Sequence, residues 1–146
     1  MRLSVQSDPF DLGRESTAFA ARVQGAGAIV TFTGLVRDNG GSLSGMEIEH
    51  YPGMTETAIQ SMMDQAAQRW SLTDALVIHR YGRLIPGEAI MMVATAAPHR
   101  AAAFAAAEFL MDYLKSRAPF WKKEISGSGA DWVTATEDDE QALQRW

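Results

Sequence analysis

The chain has no cysteine among its 146 residues. That excludes a disulfide framework, a cysteine nucleophile, a thiolate metal site and a persulfide carried on the chain, so any sulfur chemistry must use sulfur from elsewhere. Histidine is almost as scarce. His50, His79 and His99 lie far apart with no HExxH-type spacing, and neither a metal nor another cofactor is expected. No apolar run reaches membrane length, and the opening MRLSVQSDPF lacks the basic and apolar stretches of a signal peptide; a cytoplasmic protein is expected. Excess positive charge is missing too, for the net charge is −5, which argues against a nucleic-acid binder. Phosphate loops of the GxGxxG or Walker type do not occur. An anionic ligand would have to be held by a local basic cluster.

What is present is ordinary for a globular protein: 47% hydrophobic and 21% charged residues, enough for one full core. A single domain over residues 1–146 is expected. Met1 to Ser7 alternates as a short strand, and Phe10 to Gln24 reads as a helix stopped by Gly25-Ala26-Gly27. AIVTFTGLV, Ala28 to Val36, is the clearest strand, with Gly34 pointing to a bulge or a close backbone approach. The glycine-rich DNGGSLSG that follows predicts a turn or lid, and Met46 to Tyr51 a returning strand. Thr55 to Trp70 has helical periodicity, Ala75 to Tyr81 and Ala89 to Ala96 read as strands, and Pro98 to Arg117 as a third helix. Phe120 to Ile125 looks extended, SGSGA is a loop before Trp132, and Glu137 to Glu140 is an acidic, solvated tail or edge. Strands in antiparallel-looking groups separated by three main helices predict an α+β fold rather than a doubly wound parallel sheet.

The third helix organises the rest. Every lysine of the chain, Lys115, Lys122 and Lys123, falls at its end or just beyond, in LKSRAPFWKKE. Lys115 and Arg117 complement the dipole of a last turn, whereas His99 and Arg100 oppose it in the first, a conflict that a bound anion would remove. From Arg100 to Lys115 is about 22 Å along a straight helix. If both ends serve one small substrate, two copies of the chain must build the site; otherwise the two ends have different purposes.

In an extended PFWKKE segment Phe120, Lys122 and Glu124 face one way, and Trp121, Lys123 and Ile125 the other, so only one of the adjacent lysines joins Lys115. An apolar setting with a second cation nearby would depress that lysine's pKa and make its amine useful in catalysis. The plainer alternative pairs Lys115 with Asp112 on the helix and leaves the other lysine solvated. Arg37, between a buried-looking strand and a glycine-rich loop, stands where binding residues are common. His50 and His79 are left outside the site.

VTFTGLVRDN, EHYPGM, TAAPHRAAAF, MDYLKSRAPFWKKE and the final QRW, in this order from about Ala28 to Trp146, resemble the large, catalytic subunit family of molybdopterin synthase. The resemblance implies an α/β-hammerhead-like fold and a sulfurtransferase of molybdenum cofactor biosynthesis. The resemblance implies that sulfur is taken from the C-terminal Gly-Gly thiocarboxylate of a small ubiquitin-like subunit and used to convert cyclic pyranopterin monophosphate to the dithiolene of molybdopterin. It further implies a central homodimer within a heterotetramer, with Lys115 and Lys122 catalytic and Arg37, His99, Arg100, Lys123 and Glu124 in substrate binding. Leu35 stands where some relatives have lysine. The rival from another class is a noncatalytic anion-binding adaptor that docks a protein tail.

Overall fold

In the computed structural model, which describes residues 1–146, the chain begins with β1 (Arg2–Gln6), α1 (Leu12–Arg22), β2 (Ala28–Leu35) and β3 (Leu43–His50). It continues through α2 (Met54–Trp70), β4 (Asp74–Arg80), β5 (Gly82–Leu84) and β6 (Ala89–Ala97). The last elements are α3 (Arg100–Ser116), β7 (Phe120–Ser126), β8 (Gly129–Val133) and α4 (Glu137–Leu143). One sheet has the order β1-β4-β6-β2 and the other β5-β3-β7-β8. All pairings are antiparallel except β1 with β4, which makes the fold α+β as the grouping of strands predicts.

The apolar runs of β4 and β6 are continuous because helices cover both faces of the first sheet. Leu76, Ile78, Met92, Ala94 and Ala96 point to α1 and close over Phe19 and Val23. Ala75, Val77 and Val93 point the other way, onto Ile59, Met63 and Ala66 of α2 and Ala106, Phe109 and Leu110 of α3. That larger core also takes in Leu43, Met46 and Ile48 of the second sheet, so the two sheets share one interior.

Two close approaches set the position of α3. A Cβ at Gly27 would collide with the carbonyl oxygen of Pro98, and the Gly27 N–H donates to Ala97 at 3.0 Å, which brings the start of β2 against the entry to α3. One turn into the helix, the buried Thr95 hydroxyl donates to the Ala103 carbonyl at 2.7 Å and ties β6 to α3. Gly34 carries both features expected of it: the β2–β6 register shifts between Gly34 and Leu35, and an added Cβ would press Met91.

Several elements depart from expectation at their edges. The first helix begins at Leu12, because the Asp11 carboxylate accepts from the Arg14 N–H and caps it. Pro98 precedes α3 rather than opening it; His99, with extended backbone, is the N-cap. A short β5, for which the sequence reading has no element, completes the second sheet, and β8 starts inside the anticipated SGSGA loop. The largest correction is a fourth helix. The acidic run from Glu137 is α4, opened by a capping box in which Thr136 and Asp139 bond each other's N–H. One of its acids is drawn to arginine: Glu140 takes a two-pronged bond from Arg117 at 2.8 and 2.9 Å.

Candidate active site

The second sheet delivers Lys122. Its strand lies between β3 and β8, with Lys122 opposite Ile48 on one side and Val133 on the other. The end of α3 delivers Lys115, and Arg37 follows β2 directly after Val36, whose N–H and carbonyl bond Glu88 and Gly87 at 2.9 Å each. These three cations line one cleft of about 320 Å³, together with Ser116, Thr136 and Asp139. A recess of about 100 Å³ shares Arg37, Lys115 and Lys122 and adds Leu35 and Glu124. A larger hollow of about 610 Å³ lies elsewhere, over β1 and α2; its polar lining of Glu56, Thr57, Gln60, Ser61 and Asp64 offers no cation to an anionic ligand.

Lys122 is half-buried, whereas Lys115 and Arg37 are exposed on the cleft. Burial first, and then the nearby Lys115 ammonium, lower the Lys122 pKa to about 8, while Asp139 pulls in the opposite direction. Roughly a tenth of such amines are unprotonated at pH 7, a balance suited to giving and taking protons. Behind this strand the buried His79 packs on Phe120, and burial, then Lys122, push its pKa down to about 3. A neutral imidazole donates its Nδ1 proton to the Arg80 carbonyl at 2.8 Å, so His79 belongs to the core. His50 bonds Thr55 across 3.2 Å and also stays outside the cleft.

The alternation of β7 separates the adjacent lysines. Lys123 stands 4.7 Å over the Trp132 ring, on neither the cleft nor its recess. Glu124 shares the face of Lys122 and meets the Asn39 amide at 3.5 Å. Asp112 does not neutralise Lys115; it accepts from Arg145 at 2.7 Å and from the Trp146 indole at 2.6 Å. His99 and Arg100 are exposed at the far end of α3, away from the lysines of their own chain, in a first turn without an acidic residue. Sequence reasoning missed Thr136 and Asp139 by reading the acidic run as tail. A signal for them existed: Thr136 followed three residues later by an acid is a helix-start pattern.

A two-sheet α+β protein with an amine pair in a basic cleft is thereby defined, on a chain whose overall charge is negative. Residues 5–117 match the family model described as MoaE protein, and the chain belongs to that family. It is 70% identical over 146 residues to the molybdopterin synthase catalytic subunit of Cereibacter sphaeroides, covering all of both chains. Among solved structures it resembles the molybdopterin biosynthesis MoaE protein of Burkholderia ambifaria, with a TM-score of 0.84 and 49% identity over 99% of this chain and 96% of that one. The molybdopterin synthase of Staphylococcus aureus superposes with a TM-score of 0.81 at 28% identity, over 91% of this chain and 98% of that one.

Proposed function

We propose that this chain is the catalytic subunit of a molybdopterin synthase. In this reading it is a sulfurtransferase that moves sulfur from the C-terminal thiocarboxylate of a small ubiquitin-like partner onto cyclic pyranopterin monophosphate. The observation that carries the reading is the meeting of Lys115 and Lys122, from separate elements, in one cleft with Arg37. Membership of the MoaE family and 70% identity to a catalytic subunit support it. Absence of cysteine fits a chain that receives its sulfur already activated on a partner.

The cleft holds only part of the site. Arg37 meets the cyclic phosphate, and the exposed His99 and Arg100 of the partner subunit supply the rest of the anion grip. A two-fold contact along α3 and the edge strand β2 achieves this, since it sets the start of one α3 beside the end of the other. That face carries exposed aromatics, Phe32 on β2 and Phe104 on α3, and a groove of about 530 Å³ between them is lined also by Val30 and Met111.

Lys115, at the rim, stabilises the negative charge that develops on the thiocarboxylate carbonyl oxygen. Lys122 exchanges protons with the pterin as sulfur replaces oxygen and the phosphate ring opens. Glu124 orients the substrate from the recess, and Lys123, over Trp132, supports the same segment from its other face. Two sulfurs are needed for each dithiolene, and each spent carrier leaves as a carboxylate. Residues 1–146 act as one catalytic domain, and the work is cytoplasmic; no helix is long and apolar enough to cross a membrane.

Mass spectrometry of the chain mixed with thiocarboxylated small subunit and cyclic pterin tests this reading. Dithiolene product is expected from the native chain and is lost in K115A and K122A. An adaptor without chemistry would bind the small subunit and give no product.

A further inference from the structure

Asp139 is the acid that the C-terminal segment places in the lysine cleft, and the mechanism above does not use it. Its position is fixed twice. The Thr136 hydroxyl accepts from the Asp139 N–H at 3.1 Å, and Asp139 Oδ2 accepts from the Thr136 N–H at 2.9 Å. The next residue, Glu140, is forked onto Arg117, two positions beyond Lys115, so the start of α4 is tied to the end of α3. One carboxylate oxygen is therefore occupied by the cap while the side chain as a whole stays on the cleft wall.

Two ammonium groups in one half-buried cleft repel each other, and their closeness needs a counter-charge. The charged or titratable groups around Lys122 are Lys115 from α3, Arg37 after β2, Glu124 on its own strand, His79 from β4 and Asp139 from α4. His50, on β3, acts on His79 rather than on the cleft. Of the two acids, Glu124 is turned to Asn39 in the recess. Asp139 stays ionised at neutral pH: burial would raise its pKa, but hydrogen bonding from Thr136 to its carboxylate and the lysines Lys115 and Lys122 together hold it below the usual carboxylate range.

We propose that Asp139 is a positioning residue for the lysine pair, the counter-charge by which α4 holds Lys115 and Lys122 in one cleft and leaves Lys122 a proton to give. Its catalytic meaning rests on the sulfur-transfer reading; its electrostatic part stands without it.

The test uses the full chain and its three lysines. Trace acetic anhydride labelling across a pH series, read by fragment-ion mass spectrometry, follows Lys122 separately from Lys115 and Lys123. D139N removes the charge and keeps an oxygen for the Thr136 N–H; T136V removes the hydroxyl half of the cap and keeps the charge. The Lys122 midpoint, near 8 in the native chain, is expected to fall by roughly half a pH unit or more in D139N and to stay in place in T136V. An unmoved midpoint in D139N, or an equal fall in T136V, overturns the proposal. In the reconstituted reaction, D139N is expected to lower kcat about threefold to tenfold with little change in KM, and to move the pH profile with the labelling midpoint. A profile identical to the native one also overturns it. Failure of the native chain to make product would instead count against the sulfur-transfer reading, and the labelling would still decide the role of Asp139.

Discussion

His79 lies flat against Phe120, with ring centroids 3.7 Å apart and planes 15° from parallel, so a fully buried imidazole backs the strand that carries Lys122. Its proton would have to be accommodated among apolar neighbours and close to a second cation, which is why its pKa falls to about 3. The unfolded chain protonates this residue near its ordinary value of 6.5 and the folded chain does not. Below pH 6.5 the unfolded state binds the extra proton, and stability falls by about 1.4 kcal/mol for each pH unit down to about 3. Above 6.5 the contribution is complete. Urea unfolding at pH 4, 5 and 7 measures this, and H79L is expected to remove that part of the acid slope.

Lys122 has the opposite relation to stability. Its amine takes a proton near 8 in the folded chain and near 10.5 when unfolded, so the folded state is penalised in full below 8 and relieved as pH rises toward 10.5. Replacement by methionine is expected to raise stability at pH 7 by about 1–3 kcal/mol, the lower end allowing for partial exposure. The same change should abolish product formation. Thermal unfolding and the reconstituted assay on K122M, run side by side, check both halves.

If Lys122 exchanges protons with the pterin, kcat/KM carries a limb near pH 8. Arginine cannot titrate in this range. K122R is therefore expected to lose that limb and about 100-fold or more of the rate, while still binding the small subunit. A limb at the same pH in K122R would assign it to another group.

The start of α3 depends on the absence of a side chain at position 27, where any Cβ meets the Pro98 carbonyl. Because the obstacle is backbone, it cannot rotate away. G27A is expected to cost roughly 2 kcal/mol or more and to displace His99 and Arg100. Denaturant unfolding measures the cost, and an increase in KM for the cyclic pterin would report the displacement.

Much of this arrangement was legible in residues with strong local preferences. The β-branched run at Ala28 predicts β2, the alanines after Pro98 predict α3, and the period of two along PFWKKE separates Lys122 from Lys123, as the positions of both confirm. Other features depend on distant partners. The acids from Glu137 onward resemble a solvated tail until Arg117 and the Thr136–Asp139 capping box are seen to hold them in a helix. Asp112 looks available to Lys115 at helical spacing, and only tertiary structure brings Arg145 and Trp146 to occupy it. Strand order was equally beyond local pattern: nothing near Arg2 marks the parallel pairing of β1 with β4. The spacing of His99 and Arg100 from Lys115 calls for two chains or two purposes, and the fold keeps these ends apart within one chain.

That separation allows a direct test of the shared site. Differently tagged K115A and R100A chains, assembled with the small subunit and purified as the mixed dimer, contain one cleft with both defects and one with neither. The account predicts that each parent homodimer is nearly inactive and that the mixed dimer recovers about half of native activity. A mixed dimer no more active than its parents would contradict a site built by two copies of this chain.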